Sequence, residues 1–288
     1  MSTLLQWLGF EQDDRVLILN CDDLGMCQTA NESIFECLRV GVATSATVMV
    51  PCPWAYDAVQ RWKENRNLSV GIHLTLTSEW STYRWRPLLS ADRVPGLVDE
   101  FGFMPRDPLE VQRRATPDEV YAECEAQIDM GLRWGLEPTH LDSHMGTLQT
   151  DPRFLLVYAE LGRKYHLPIR MASRRQYEEL GAAPAWDAAS KVGIAAVDHL
   201  VLEDRRADED ADSFASRVLT ALEPGVTEAF LHPSRMTPEI QAIFPEAAHR
   251  DEEFRLLAKD GTIARVIRER GIHLISYALI RDRVARGN

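Results

Sequence analysis

The chain has 288 residues and 45% of them are hydrophobic, which is enough for a substantial core. Its formal net charge of −12 disfavours binding to nucleic acids and to anionic membranes, because both require a basic face. The N-terminus lacks the charge pattern of a signal peptide, no apolar run is long enough to span a bilayer, and the five cysteines include no C-x-x-C pair. We therefore expect a cytoplasmic protein with reduced thiols.

Short apolar runs alternate with longer helical patterns from the N-terminus onward. The first run, "RVLILN" at 15–20, precedes a helical pattern at 28–41 that ends at a glycine. Further apolar runs follow at 43–51, 68–77, 138–144, 167–172, 197–203, 227–233 and 271–280. Helical patterns lie between them at 54–65, 116–135, 152–166, 213–222 and 252–269. This alternation predicts a parallel α/β sheet.

The number of strand–helix units favours a barrel. About seven units in a chain of this length predict a (β/α) barrel of the TIM type, formed by a single catalytic domain over residues 1–288. A doubly wound open sheet is the alternative. No glycine-rich phosphate loop follows the first run, which disfavours a dinucleotide or P-loop site. The irregular, proline-containing stretch at 78–117 predicts a long lid-like loop.

Polar side chains that can bind metals or transfer protons fall at the ends of four predicted strands. These candidates are Asp22 and Asp23 after the first strand, His73 in the third, His140, Asp142 and His144 in the fourth, and His232 in a late one. The carboxyl ends of parallel strands meet on one side of a sheet, so we expect these groups to converge.

Each candidate also has an ordinary structural explanation, since aspartates cap helices and turns and histidines pack in cores. Strand alternation places His140, Asp142 and His144 on one face, which suits a metal site and a hydrogen-bond network equally well. The combination of carboxylates and imidazoles favours a divalent metal, with a remaining carboxylate as general base and His232 as the acid for a leaving amine. Metal ligands, a general base and an acid together predict metal-assisted hydrolysis of an amide or ester.

Five motifs occur in order within residues 18–233, namely "NCDDLG", "GVATSATVMVP", "VGIHLTLT", "THLDSH" and "FLHPS". Together they resemble the YdjC-like carbohydrate deacetylases, the chitooligosaccharide deacetylase group. The resemblance implies a distorted (β/α) barrel, one divalent metal ion (zinc or magnesium) and removal of acetyl groups from N-acetylglucosamine-type sugars. Matched motif by motif, it implies Asp23, His73 and His144 as metal ligands, Asp22 as the base and His232 as the acid.

The motifs depart from the family pattern in three places. "DSH" continues with "MGTL" rather than a histidine-rich run, the aspartate pair precedes "LG" rather than "FG", and "HPS" stands where "HPG" is more common. The expected ligands remain, whereas polar groups near them differ. A relative that acts on another acetylated or amide substrate therefore stays open.

Three further side chains are expected to support the metal ligands. Residues two and four apart lie roughly 7 and 13 Å apart along an extended strand, so His140, Asp142 and His144 cannot all reach one ion without a bend. His140 and Asp142 are therefore predicted to orient His144. Thr75 shares the polar face of the third strand with His73.

The stretch at 78–89 interleaves aromatic and basic residues. It contains Trp80, Tyr83 and Trp85 with Arg84 and Arg86 between and after them. Aromatic faces stack on sugar rings and arginines bind anionic groups, so Trp80, Trp85 and Arg86 are predicted to contact substrate. The alternative is that the aromatic residues pin an ordered loop onto the barrel.

Three functions remain to be compared. The first is a metal-dependent deacetylase of amino sugars or small oligosaccharides, and the second is another metal hydrolase or lyase acting on a non-sugar amide or ester. The third, a sugar-binding protein without turnover, is disfavoured because candidates for the metal ligands, the base and the acid are all present. The expected partner is a small carbohydrate, with no nucleic acid and no membrane, and a homo-oligomer stays open.

Overall fold

The computed structural model describes residues 3–192, 197–245 and 247–287. Its helices are α1 (Thr3–Leu8), α2 (Gln28–Val40), α3 (Ala55–Lys63), α4 (Pro108–Arg114), α5 (Pro117–Arg133), α6 (Pro152–Tyr165), α7 (Arg174–Glu179), α8 (Ala183–Ser190), α9 (Ala211–Thr220), α10 (Pro238–Ile243), α11 (Ala247–Leu256), α12 (Thr262–Arg270) and α13 (Tyr277–Gly287). None of the helices in these ranges is both long and apolar enough to cross a membrane.

The strands form one parallel sheet. They are β1 (Arg15–Leu24), β2 (Ser45–Val48), β3 (Ser69–Leu74), β4 (Leu141–Ser143), β5 (His199–Leu200), β6 (Gly225–Leu231) and β7 (His273–Leu274). Their order is β4-β3-β2-β1-β6-β5, and β7 pairs with the beginning of β1. A parallel bridge between Leu141 and Ile169 extends the sheet beyond β4.

The sheet curls into a half-barrel with helices around it. Arg170 follows the bridge beyond β4, and Glu228 lies on β6 five strand spacings away, which is about 24 Å in a flat sheet. The Arg170 Nε nevertheless donates to Glu228 Oε1 at 2.7 Å. Only a strongly curved sheet brings these side chains together, so the predicted α/β barrel-like fold is confirmed.

Most predicted elements are confirmed, but the strand predicted at 167–172 forms only the bridge at Ile169, and elements near the C-terminus differ. The helical pattern at 116–135 forms α5, which begins with a capping box between Thr116 and Glu119. The pattern at 252–269 is two helices, α11 and α12, separated near Gly261. The apolar run at 271–280 contains only the short β7, because the chain enters α13 at Tyr277.

Gly25 explains how the end of β1 fits beneath α3. Its φ is +88°, and a Cβ at this position would lie 2.8 Å from the Ala55 Cα. Its N–H donates to the Asn31 side-chain oxygen at 2.7 Å. Only glycine combines this backbone conformation with such a close approach, and the turn directs the preceding aspartates into the barrel.

Candidate active site

Asp22 and Asp23 lie near the carboxyl end of β1, where regular strand alternation is interrupted. The pairing of β1 with β2 shifts register between Cys21 and Leu24, and Asp23 has a φ of +66°. Such an irregularity allows two consecutive side chains to face the same interior, at some cost in backbone strain. Both carboxylates are buried.

Asp23, His73 and His144 form one buried cluster. His73 Nε2 and His144 Nδ1 lie 3.6 and 3.4 Å from Asp23 Oδ1, and the two nitrogens are 3.2 Å apart. Asp23 Oδ1 is buried and accepts no hydrogen bond from the residues that the structure describes. One ligand atom from each residue lies within 4.8 Å of the others. A buried carboxylate oxygen without a donor, faced by two imidazole nitrogens, is an arrangement that a divalent cation would satisfy.

Arg250 of α11 holds the other oxygen of Asp23. Its Nη2 donates to Asp23 Oδ2 at 2.8 Å, and its guanidinium carbon lies 3.9 Å from the ring centre of Phe244. Burial acts to raise the pKa of Asp23, but Arg250, with smaller contributions from His144 and His232, outweighs it and holds that pKa well below its usual range. Asp23 is therefore ionised, with one oxygen fixed by a cation and the other turned toward the imidazoles.

Asp142 orients His73. Its Oδ1 lies 2.5 Å from His73 Nδ1, while its Oδ2 accepts from the Thr47 hydroxyl at 2.8 Å. A carboxylate on one ring nitrogen keeps that nitrogen protonated and leaves Nε2 as an acceptor, which is the form that binds a metal. Asp142 thus supports His73, whereas the sequence predicted that it supports His144.

His144 leaves the strand direction at a tight turn. β4 ends at Ser143, and the following turn contains Met145 at a φ of +53°. This bend brings Nδ1 to Asp23 and places Nε2 3.0 Å from Glu79 Oε2. Burial lowers the pKa of His144, but the charges of Glu79 and Asp23 outweigh it and raise that pKa to about 10. Metal binding would displace this proton.

His140 lies apart from the cluster. Its ring stacks on Tyr277 with centroids 3.8 Å apart, and its Nδ1 is 3.0 Å from the Thr139 hydroxyl. Burial lowers the pKa of His140 well below its usual value, so the ring is neutral. His140 therefore does not orient His144 as the sequence predicted, because the turn after Ser143 carries His144 away from the shared strand face.

Arg170 binds both oxygens of Asp22. Nη1 and Nη2 each donate at 2.7 Å, and the Asn20 amide adds a bond of 2.8 Å to Oδ1. Burial raises the pKa of Asp22, but the charge and hydrogen bonds of Arg170 hold it well below its usual range, and the charge of His232 adds to the lowering. Asp22 is ionised and lies within electrostatic reach of His232.

A second set of grouped ligand atoms comes from Asp22, His73 and Asp142. Its carboxylates already share Arg170, whose Nη2 lies 3.1 Å from Asp142 Oδ2. Hydrogen bonds therefore account for this group. Of these two groups, only the one at Asp23 contains a carboxylate oxygen that the described residues leave unpaired.

His232 follows β6 at the mouth of the barrel, with 34% of its side chain exposed. Its backbone N–H donates to Glu253 Oε2 at 2.7 Å, and its Nδ1 lies 3.9 Å from the same oxygen. Glu253 also faces His249 Nε2 at 3.4 Å. Burial raises the pKa of Glu253, but His249 and His232 lower it overall, so the carboxylate is ionised beside two imidazoles.

The aromatic loop is anchored more tightly than its composition indicates. Trp85 is 3% exposed, its Nε1 donates to the Thr77 carbonyl at 2.8 Å, and its ring centre is 6.1 Å from that of His144. Arg84 donates to Asp99 at 2.9 Å. These contacts anchor the loop beside His144. The expectation that Trp85 contacts substrate stays a prediction.

Other loop residues and Thr75 have separate contacts. Trp80 is partly buried and packs edge-on against Phe244 at 4.7 Å, whereas Arg86 is exposed. The Thr75 hydroxyl donates to the His73 carbonyl at 2.7 Å. The Thr75 backbone N–H donates to the Gln127 side-chain oxygen at 2.9 Å. Thr75 thus fixes the backbone of a cluster residue.

Sequence reasoning missed several charged residues of the site. Glu79, Glu253 and Arg250 lie in a loop or on a helix, where a charged residue carries no special pattern. Arg170 and Glu228 gave a usable signal, because each interrupts an apolar run, "LPIRMA" and "VTEAFL". A charge inside a buried strand needs a partner, and these two are partners of each other.

Comparisons with known proteins found a family model and relatives that match most of the chain. A family model described as YdjC-like protein matches residues 16–267. The carbohydrate deacetylase of Thermoanaerobacter pseudethanolicus is 28% identical over 93% of this chain and 100% of its own length. The carbohydrate deacetylase of Geobacillus stearothermophilus is 32% identical over 91% of this chain and 97% of its own.

A solved structure has the same fold. It is an Enterococcus faecalis V583 protein described as a candidate cellobiose-phosphate cleavage protein, with 28% identity and a TM-score of 0.81. The match covers 93% of this chain and 99% of that one.

Proposed function

The chain belongs to the YdjC-like protein family, and from this premise we propose that it is a metal-dependent hydrolase that removes N-acetyl groups from amino sugars or small oligosaccharides of the N-acetylglucosamine type. The unpaired Asp23 Oδ1 between two imidazole nitrogens carries the proposal. Relatives that match almost the full chain are named carbohydrate deacetylases, which supports this substrate class.

The donor set fits one divalent ion held by Asp23, His73 and His144. Two imidazoles and one carboxylate suit zinc better than magnesium, which prefers oxygen ligands. Such an ion supplies Lewis-acid chemistry, activating water and polarising the acetyl carbonyl. Asp142 and Glu79 orient the two imidazoles from behind.

Asp22 is proposed as the general base. Its low pKa keeps it ionised at neutral pH, so it can accept a proton from water attacking the acetyl carbon. Arg170 fixes its orientation through two hydrogen bonds. The same charge makes Asp22 a weaker base than a free carboxylate, so precise placement must offset reduced basicity.

His232 is proposed as the general acid. It directly follows β6, the strand next to the one that carries Asp22, and is partly exposed. Proton donation to the amine nitrogen as the C–N bond breaks yields acetate and the free amino sugar. The Glu253 carboxylate lies 3.9 Å from Nδ1 of this imidazole.

Acetate release from a panel of N-acetylated mono- and oligosaccharides tests the proposal. The purified protein is assayed as isolated, after chelation, and after addition of zinc or magnesium. We expect release that chelation abolishes and metal restores, with no release by the Asp23→Asn variant. Full turnover after complete metal removal would contradict the metal proposal, and hydrolysis of non-sugar amides or esters alone would favour the second function.

A further inference from the structure

Glu228 and Tyr277 lie next to Arg170 and take no part in the proposed proton transfers. Glu228 is on β6 and Tyr277 begins α13, and both side chains are fully buried. Arg170 Nε donates to Glu228 Oε1 at 2.7 Å, and the Tyr277 hydroxyl donates to Glu228 Oε2. Arg170 therefore contacts Glu228 through Nε and Asp22 through its two terminal nitrogens.

We propose that Glu228 and Tyr277 are a positioning pair that fixes the guanidinium of Arg170, so that Arg170 holds Asp22 in its productive orientation. This inference rests on the proposed role of Asp22 as base. An Arg170 side chain bound at Nε cannot rotate about its last bonds without losing a charge-assisted hydrogen bond. The constraint passes to Asp22 because both of its oxygens are bound to that guanidinium.

The charges around Arg170 explain why Glu228 is the carboxylate whose ionisation depends on pH near neutrality. One guanidinium faces the three carboxylates of Asp22, Asp142 and Glu228. Asp142 has additional donors in Thr47 and His73, and Asp22 has Asn20. Among the residues that the structure describes, Glu228 has only the Tyr277 hydroxyl as a donor besides Arg170. Burial therefore prevails over Arg170 and raises the pKa of Glu228 to about 7.

The ionisation of Glu228 thus takes place near neutral pH. The charged and titratable groups that act on it from the surrounding elements are Arg170, Tyr277, Asp22 and Tyr158, with His140 stacked behind the Tyr277 ring. Ionised Glu228 offers Arg170 a charged acceptor, whereas protonated Glu228 offers a neutral one. The hydrogen bond between Glu228 and Arg170 is therefore stronger above pH 7 than below it.

Glu228→Gln reproduces the neutral form at every pH and provides the test. In metal-loaded enzyme we expect kcat to fall about tenfold relative to wild type at pH 8.5 and by less than about twofold at pH 5.5, with KM unchanged. Taking the ratio at each pH removes the titrations that both proteins share. A ratio that is the same at both pH values would mean a merely structural role and would overturn the proposal.

Tyr277→Phe gives a second variant that keeps the ring stacked on His140 and removes only the hydroxyl. We expect kcat to fall about fivefold at pH 8.5, because Glu228 loses its other donor. The matched control is Tyr177→Phe, since Tyr177 is a buried tyrosine whose hydroxyl binds the Gln149 backbone carbonyl at 3.3 Å. An equal loss of kcat in both tyrosine variants would contradict a specific role for Tyr277.

A spectroscopic measurement separates this inference from the proposed function. The ¹⁵N–¹H signal of Arg170 Nε, assigned by its absence in Arg170→Lys, is followed by hydrogen exchange at pH 8.5. Exchange should be at least about tenfold faster in Glu228→Gln than in wild type, whatever substrate the enzyme uses. Faster exchange without acetate release by wild type would refute the proposed function alone, and unchanged exchange would refute the positioning pair.

Discussion

The two adjacent aspartates of the site lie in opposite environments. On the Asp22 side, hydrogen bonds from Arg170 and Asn20 occupy both carboxylate oxygens. On the Asp23 side, Arg250 holds one oxygen and the other is left without a donor between two imidazoles. The Asp22 side is closed by the buried network that ends at Tyr277, whereas the Asp23 side faces the loop that carries Glu79.

The difference shows how a protein can assign separate tasks to neighbouring identical residues. Each aspartate is kept ionised by its own arginine, so charge alone does not distinguish them. The distinction lies in hydrogen-bond satisfaction, since a fully bound carboxylate keeps a fixed orientation and an unpaired oxygen is available to a cation. Mutations on the two sides should therefore have different consequences.

The largest effect is expected from Asp23→Asn, which removes the anionic ligand. Metal affinity should fall more than about 100-fold, because a ligand contributes more than the groups that orient it, and turnover should be lost with it. Isothermal titration with zinc and metal analysis after dialysis measure the change. An Asp23→Asn protein that binds zinc as wild type does would show that the metal does not bind on the Asp23 side.

Asp22→Asn should leave zinc affinity within about threefold of wild type and reduce kcat by about 10²–10⁴, the usual contribution of a general base. Removing the charge also leaves Arg170 undercompensated, so thermal unfolding is recorded and assays are run well below the midpoint. Equal loss of metal in the Asp22 and Asp23 variants would erase the contrast between the two sides.

The network on the Asp22 side should also make the free energy of unfolding depend on pH. The pKa of Glu228 is raised in the folded state from 4.5 to about 7, so its contribution to stability is complete below about pH 4.5 and is lost as pH rises to about 7. Between pH 4.5 and 8, wild type should lose about 3 kcal/mol of unfolding free energy relative to Glu228→Gln.

Urea denaturation of both proteins at several pH values measures this difference. The exposed Glu160 of α6 provides a control, since Glu160→Gln should track wild type at every pH. A constant gap between wild type and Glu228→Gln would show that Glu228 does not titrate in this range.

On the Asp23 side, Glu79→Gln should weaken zinc binding about 10- to 100-fold, because His144 loses the carboxylate that orients its ring. Glu100→Gln, at an exposed position of the same long loop, is the control and should bind zinc normally. If both variants bind zinc as wild type does, the contact between Glu79 and His144 has no bearing on the metal.

The smallest effect is expected at the surface of the loop. Arg86 is exposed beside Phe103, with its guanidinium carbon 5.3 Å from the ring centre. Arg86→Ala should raise KM by less than about tenfold and leave kcat unchanged, since it removes binding without touching the reacting groups. Steady-state kinetics with an active N-acetylated sugar test this, and a loss confined to kcat would place Arg86 in the chemistry.

The sequence alone was sufficient for the fold class and for the convergence of the main site residues. Alternating apolar runs and helical patterns are local features, and parallel strands place their carboxyl ends on one side whatever the details of packing. Asp22, Asp23, His73 and His144 could therefore be grouped from their positions at strand ends, and the structure brings them together.

Only the tertiary structure decided which partner each of these residues has. Arg170 lies 148 residues from Asp22 and Arg250 lies 227 residues from Asp23, and no local pattern connects positions so far apart. His140 and His144 appeared equivalent by strand alternation, but the turn after Ser143 gives them different neighbours, Tyr277 for His140 and Asp23 for His144. Local periodicity predicts which face a side chain occupies, whereas curvature of the sheet and packing of distant elements determine what it meets there.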